Sequence, residues 1–372
     1  MSFLSRFSES AHHAWQEGDY TIPIIAAGAS LAVFYSLARK NASSQALSAA
    51  THHSAGFTGS SGIPVIRAPE YTLAHADYPQ SLYEGSQRIT TPYGRVQVFV
   101  EGPKDGPRVM LVHGITTPCP VFRGVLRTLV KRGYRVATYD LWGRGYTDVP
   151  VGLPMDAAAF SFQLLSVLAH LGWSDAGVGG GTGYTLVGYS LGGGIVAAFA
   201  ACYPQGIRQL VMIAPAGLLR ASEQSPMRKL VQSHSVPFWL VEGLQSLVVP
   251  KKLEDVKRRV SGDAIDTTGV LDWQKENHKG FARAYLSTFR SGPIFDQLEV
   301  FGKLQEFAIG GKFKVMAIWG AEDDIVDAQK VSKRLMEIVP AAELVFFDGI
   351  GHDICTAVPV EVAERIMQFV EQ

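Results

Sequence analysis

Three residue types far apart in this 372-residue chain are of the kinds that together activate a hydroxyl: Ser190, His352 and an acid in the turn 320–324. Ser190 stands in Leu186-Val187-Gly188-Tyr189-Ser190-Leu191-Gly192-Gly193, a G-x-S-x-G spacing. A serine hydroxyl is a weak nucleophile until a base within hydrogen-bond reach takes its proton. Of the ten histidines, His12, His13, His52 and His53 fall in the N-terminal tail and His170 ends a predicted helix. His352, in Phe347-Asp348-Gly349-Ile350-Gly351-His352-Asp353, follows an apolar run in a glycine-bearing loop and is the expected base. An acid that holds the histidine tautomer is expected among Glu322, Asp323 and Asp324, which follow the run Lys314–Trp319. The chemistry of such a set is acyl transfer: serine attack, an acyl-enzyme, and release of the acid by water.

Backbone groups complete that chemistry. A strand–turn–helix around Gly188 and Gly192 leaves no room for large side chains and pushes Ser190 out above the strand end, near a helix N-terminus. His113-Gly114-Ile115-Thr116-Thr117 ends an earlier apolar run, and its glycine lets main-chain N–H groups face the site. The N–H groups of Ile115 and Leu191 are the expected oxyanion donors. His113, Gly114 and Tyr189 are expected to contact substrate, His113 in a structural rather than a catalytic capacity. Cys355, three residues past His352, is placed near the site. Gly192-Gly193-Gly194 does not match the dinucleotide-binding spacing, and there is no phosphate-binding P-loop. No metal or organic cofactor is implied.

Strands and helices must carry these residues to one place. Arg95–Glu101 alternates like a strand, and Arg108–His113, Tyr134–Asp140, Tyr184–Gly188, Gln209–Ala214, Lys314–Trp319 and Glu343–Phe347 read as further strands. Helical spacing predicts helices over Val121–Arg132, Met155–Leu171, Gly192–Tyr203, Ala328–Ile338 and Val360–Val370. Alternating strand and helix point to an α/β class with a mostly parallel sheet covered on both faces. The alternation breaks between 217 and 307, which reads as a helical cap inserted between two strands. The expected organisation is a tail over 1–40, a linker over 41–85, a core over 86–216 and 308–372, and the cap.

The tail contains an apolar run, Thr21–Ala38, with no charge in 18 residues. At about 1.5 Å per residue it spans roughly 27 Å, enough for a bilayer core. Asp19 precedes it and Arg39–Lys40 follow, which is the wrong charge order for a cleaved signal peptide. It reads as a single-pass membrane anchor with the catalytic domain on the cytosolic side. Within the cap, the apolar stretches 236–241 and 244–250 precede Lys251, Lys252, Lys257, Arg258 and Arg259, an arrangement suited to a lipid interface. The chain carries 34 basic and 34 acidic residues, so no charge excess points to nucleic acid. Three cysteines without a CxxC make neither a disulfide framework nor a zinc site.

From about Gln87 to the C-terminus, less the cap, these residues resemble the α/β-hydrolase superfamily of serine hydrolases. The resemblance rests on His113-Gly114, Asp140-Leu141-Trp142-Gly143-Arg144-Gly145-Tyr146-Thr147-Asp148, Gly188-Tyr189-Ser190-Leu191-Gly192-Gly193, Gly320-Ala321-Glu322-Asp323 and Gly351-His352, in that order. It implies an α/β-hydrolase fold, Asp323 as the acid, and Ile115 and Leu191 as oxyanion donors. Serine at the elbow sets the chain apart from the epoxide hydrolase and dehalogenase branches. The anchor and Tyr203-Pro204…Ile213-Ala214-Pro215-Ala216-Gly217 are similar to the membrane-bound monoacylglycerol lipase branch, which implies lipid esters as substrates. Acyl transfer or carbon–carbon bond hydrolysis on the same triad, and a non-catalytic receptor or scaffold, are the rival functions.

Overall fold

A computed structural model describes residues 62–174, 183–243 and 265–372. The predicted anchor over 21–38, the whole apolar stretch 244–250 and the basic residues Lys251, Lys252, Lys257, Arg258 and Arg259 lie outside the described residues. Among the described residues no helix is long and apolar enough to cross a membrane.

The centre is an eight-stranded sheet built from β2 (Ser86–Thr91), β3 (Gly94–Glu101), β4 (Arg108–Val112), β5 (Arg135–Tyr139), β7 (Tyr184–Tyr189), β8 (Ile207–Ile213), β9 (Lys314–Gly320) and β10 (Glu343–Phe347). Their order across the sheet is β10-β9-β8-β7-β4-β5-β3-β2. From β10 to β5 the pairing is parallel, and β3 and β2 join antiparallel. The near-continuous Val, Leu, Ile and Met of β4, β7, β8 and β9 suit strands covered on both faces. Every residue of β7 and all but the first of β4 and β9 are buried. The edge strand β10 has no fully buried residue.

Helices cover the sheet: α1 (Arg123–Lys131), α2 (Ala157–His170), α3 (Leu191–Cys202), α9 (Ala328–Ile338) and α11 (Pro359–Val370), with the short α10 (Ile354–Ala357) before the last. The Asp156 side chain caps α2 by accepting from the Ala159 N–H, and Asp327 caps α9 by accepting from the Lys330 N–H. Helix α3 is buried along its whole length except its last residue.

Between β8 and β9 the described residues form α4 (Pro226–Gln232), α5 (Phe238–Gly243), α6 (Thr267–Asn277), α7 (Phe281–Ser291) and α8 (Leu298–Ile309). The chain leaves and re-enters through paired segments: the Gly217 N–H donates to the Ile294 carbonyl at 2.9 Å, and the Asp296 N–H to that of Leu219 at 2.9 Å. Phe301 and Leu304 of α8 belong to the main core. The predicted cap boundary at 307 therefore falls inside a helix that covers the sheet.

Residues 62–85, expected as linker, pack on the core as far as they are described. Strand β1 (Val65–Ile66) pairs with β6 (Val149–Pro150), and Tyr78 and Tyr83 are buried. Isolated tyrosines carry this packing, so no periodicity announces it. Asp148 fastens the segment. Fully buried, it accepts from Arg67 Nη1 at 2.7 Å, the Ala68 N–H at 2.9 Å and the Arg95 N–H at 2.8 Å. Removing the carboxylate leaves the Ala68 and Arg95 N–H groups without this acceptor and ends the ion pairs with Arg67 and Arg95, so Asp148→Ala is expected to destabilise the protein by about 2–4 kcal/mol, read as a lower urea midpoint.

Candidate active site

Ser190 links β7 to α3 with φ 54° and ψ −119°, a left-handed conformation that a side chain adopts only when its surroundings impose it. They do so through hydrogen bonds and close packing. The Ser190 N–H donates to the Ile213 carbonyl, and the Ser190 carbonyl accepts from the Gly193 and Ala216 N–H groups, each at 2.9 Å. A β-carbon at Gly188 would lie 2.2 Å from the Gly192 carbonyl oxygen, and one at Gly192 only 2.0 Å from that of Val112. Only glycine lets the turn close.

The loop after β10 brings His352 to the serine. His352 Nε2 is 3.0 Å from Ser190 Oγ, and Nδ1 is 2.7 Å from Asp323 Oδ2. Of the three carboxylates in the turn after β9, Glu322 and Asp324 are exposed and Asp323 is buried. The other Asp323 oxygen, Oδ1, accepts the Ile325 and Val326 N–H groups at 2.9 Å each. Two main-chain donors thus fix the carboxylate while its second oxygen meets the histidine, which orders a charge-assisted chain from acid to base to hydroxyl. The Tyr189 hydroxyl donates to the His352 carbonyl at 2.7 Å, and its ring lies 5.3 Å from the imidazole. Tyr189 backs the histidine, and its hydroxyl is committed there rather than to a substrate.

At the end of β4, Gly114 lies against Ser190: a β-carbon there would sit 3.2 Å from Ser190 Cβ. His113 does not reach the site surface, in contrast to its expected contact with substrate. It is fully buried, its Nδ1 donates to the Gly114 carbonyl at 2.8 Å, and its Nε2 accepts the Leu141 N–H at 2.9 Å. Both nitrogens are used, so the ring bridges the loops after β4 and β5 as a neutral imidazole. The Gly114 carbonyl belongs to the peptide group that carries the Ile115 N–H. Holding one end of this planar unit aims the other. Leu191 opens α3, where first-turn N–H groups lack partners within the helix. Cys355 is buried beside this site, and burial pushes its thiol pKa up, so it remains a protonated core residue.

Two residues without a role in the sequence reading reach the same turn. Arg144 donates from Nε to the Ile115 carbonyl at 3.2 Å, and Gln274 of α6 donates from Nε2 to the Thr116 carbonyl at 2.8 Å. Arg144 lies inside the glycine-bearing motif Asp140–Asp148; Gln274 has no local pattern to mark it. Beneath the turn, burial raises the Asp140 carboxyl pKa to about 6, opposed by donors from Tyr78 Oη, the Tyr146 N–H and the Cys119 N–H. Among the described residues no group of three or more His, Cys, Asp or Glu is placed to hold a metal ion. A cavity of about 920 Å³ lies between residues 149–156, α7 and the ends of α4 and α5; its lining includes neither Ser190 nor His352.

Comparison with known proteins adds a family. A family model described as alpha/beta hydrolase fold matches residues 107–356. The chain is 24% identical over 286 residues to a non-heme haloperoxidase from Rhodococcus erythropolis, covering 74% of this chain and 96% of that protein. It is 24% identical over 294 residues to a bifunctional esterase/perhydrolase from Acinetobacter calcoaceticus, covering 76% and 98%. In structure it is similar to the carboxylesterase CesB from Bacillus subtilis, with TM-score 0.59 and 17% identity over 78% of this chain and 93% of that one. At that identity the likeness is one of fold.

The buried histidines set a pH dependence. Burial lowers the pKa of His113 to about 3 and that of His278, which bonds the Thr147 carbonyl, to about 4. Between those values and about 6.5 the unfolded chain binds protons that the folded chain refuses, so their stabilisation is complete above pH 6.5 and is lost as pH falls. Asp140 works oppositely: its pKa is raised from 3.8, so its contribution is full below pH 3.8 and is lost as pH rises through about 6. Each group contributes a slope of about 1.4 kcal/mol per pH unit, and two against one leaves a net loss of stability between pH 6 and pH 4. Urea titrations are expected to show this decline, and a shallower one in His113→Asn.

Proposed function

We propose that this chain, which belongs to the alpha/beta hydrolase family, hydrolyses carboxylic esters by way of an acyl-enzyme on Ser190. The observation that carries the reading is the unbroken chain from Asp323 through His352 to Ser190 Oγ, at 2.7 and 3.0 Å. His352 Nε2 takes the hydroxyl proton as Oγ attacks the ester carbonyl carbon, and Asp323 stabilises the imidazolium that forms. The Ile115 and Leu191 N–H groups receive the negative carbonyl oxygen. The imidazolium then protonates the departing alkoxide. Water, deprotonated by the same nitrogen, attacks the acyl carbon; the carboxylic acid leaves and Ser190 regains its proton.

An apolar substrate is favoured because Ile115 packs against a cluster of Leu271, Phe281 and Tyr285. Two of these are aromatic and all three come from α6 and α7. In this reading the helical segment 217–307 is a cap over the nucleophile, and lipid esters such as monoacylglycerols are the substrate class. The apolar run Thr21–Ala38 serves as a membrane anchor that brings the catalytic domain to its substrate from the cytosolic side.

Hydrolysis of p-nitrophenyl esters and monoacylglycerols of increasing acyl length tests this. Ser190→Ala is expected to lower kcat by about 10⁴-fold or more. Asp323→Asn is expected to lower it by about 10⁴-fold, while Glu322→Gln and Asp324→Asn change it little. Full turnover by Ser190→Ala would overturn the acyl-enzyme. Labelling of Ser190 by a fluorophosphonate without hydrolysis of any ester would move the function to acyl transfer or carbon–carbon cleavage.

A further inference from the structure

We propose that Gln274, from cap helix α6, and Arg144, from the turn after β5, are positioning residues that hold the oxyanion turn 114–117 in its working shape, so that seating of the cap sets the rate of acylation. The proposal rests on the Ser190 reading and assigns the device that regulates it.

Three consecutive carbonyls of this turn are each held by a side chain. His113 holds that of Gly114, Arg144 that of Ile115 and Gln274 that of Thr116. A peptide group is rigid and planar, so holding the Gly114 carbonyl aims the Ile115 N–H, and holding the Ile115 and Thr116 carbonyls fixes the next two planes, against which the first is hinged. His113 comes from the core, and Arg144 from the turn 141–148, which the core also holds through Gln163 on the Trp142 N–H and Asp140 on the Tyr146 N–H. Gln274 and Thr288, the side-chain partner of Arg144, come from the cap.

Gln274 is fully buried and uses both ends of its amide. Nε2 donates to the Thr116 carbonyl at 2.8 Å, and Oε1 accepts the Gly145 N–H at 2.9 Å. It therefore ties the oxyanion turn and the 141–148 turn to one cap helix. Arg144, also fully buried, spreads its guanidinium over the Ile115 carbonyl (3.2 Å), the Trp142 carbonyl (2.8 Å) and Thr288 Oγ1 of α7 (3.0 Å). These partners are dipoles rather than a carboxylate. A buried guanidinium held only by dipoles is costly, so the loss of one of these partners is not easily absorbed. Burial lowers the Arg144 pKa only to about 9, so it is cationic at neutral pH. Both residues thus join the oxyanion turn to the cap, one through α6 and one through α7. A displaced cap takes the donor from the Thr116 carbonyl and one partner from the guanidinium that holds the Ile115 carbonyl, and so loosens the turn on the side away from His113.

The test uses the full chain in detergent, a short p-nitrophenyl ester, and an alkyl trifluoromethyl ketone, whose serine adduct carries an oxyanion. Gln274→Glu keeps the acceptor for the Gly145 N–H and loses the donor to Thr116. It is expected to lower kcat by about 10- to 100-fold with KM within about threefold of wild type, and to weaken the ketone by the same factor as kcat. Thr288→Val keeps the bulk of Thr288 and removes one Arg144 partner; the same pattern is expected at about 3- to 10-fold. A purely structural role would lower the unfolding midpoint without this matched loss of kcat and adduct affinity. The proposal is overturned if folded Gln274→Glu keeps kcat and ketone affinity, or raises KM alone. Should Gln274→Glu not fold, unchanged kcat and ketone affinity in Thr288→Val overturn it. Turnover by Ser190→Ala would sink the serine reading itself, whereas Ser190-dependent turnover indifferent to both variants sinks this proposal alone.

Discussion

The backbone at Ser190 holds a positive φ of 54° on a residue with a side chain, at a cost of about 1–3 kcal/mol that the neighbouring structure must offset. It does so with three main-chain hydrogen bonds, to Ile213, Gly193 and Ala216, and with glycines that let α3 touch the ends of β4 and β7. Much of the fold follows from that requirement. Strands β4, β7 and β8 must lie side by side for Val112, Ser190 and Ile213 to meet. Helix α3 must run through the buried centre, which explains why nearly all its residues are covered.

Asp323 and His352 are placed by different means. Asp323 is fixed by two N–H groups of its own turn, so its position depends on residues within three places of it. His352 has less local support: the Tyr189 hydroxyl holds its carbonyl from across 163 residues of sequence. The residue next to Ser190 therefore also steadies His352. Below both, His113 and Asp140 join the loops after the neighbouring strands β4 and β5, one as a neutral ring and one as a buried carboxyl. These polar groups sit where packing alone would leave the loops loosely fixed.

Much of this was legible in the residues and some was not. The apolar runs of β4, β7, β8 and β9 announce buried strands, and the G-x-S-x-G spacing announces the turn between β7 and α3. Among Glu322, Asp323 and Asp324 the residue types are equivalent; what separates them is which side chain turns back onto the N–H groups of Ile325 and Val326, a property of the folded loop. His113 was expected at the substrate because it ends a strand beside Gly114, yet its ring turns inward to two backbone partners. The packing of residues 62–85 depends on single side chains finding distant partners, such as the Tyr146 hydroxyl on the Tyr78 carbonyl, 68 residues away. Gln274 is one polar residue in a helix, and only the tertiary fold shows what its amide meets.

The pairing of Gly217–Leu219 with Ile294–Asp296 has a consequence for the history of the molecule. Because the helical segment departs and returns through one narrow neck, its length is decoupled from the register of β8 and β9, which stay neighbours whatever lies between them. Such a neck is a natural splice point: a lineage can lengthen, shorten or replace the segment and leave the sheet intact. The freedom is not complete. A replacement that returned no donor to the Thr116 carbonyl and no acceptor to Arg144 would leave those buried groups without the partners they have here. The neck sets where a substitute segment can enter, and these two polar contacts set what it must carry if they are to be kept.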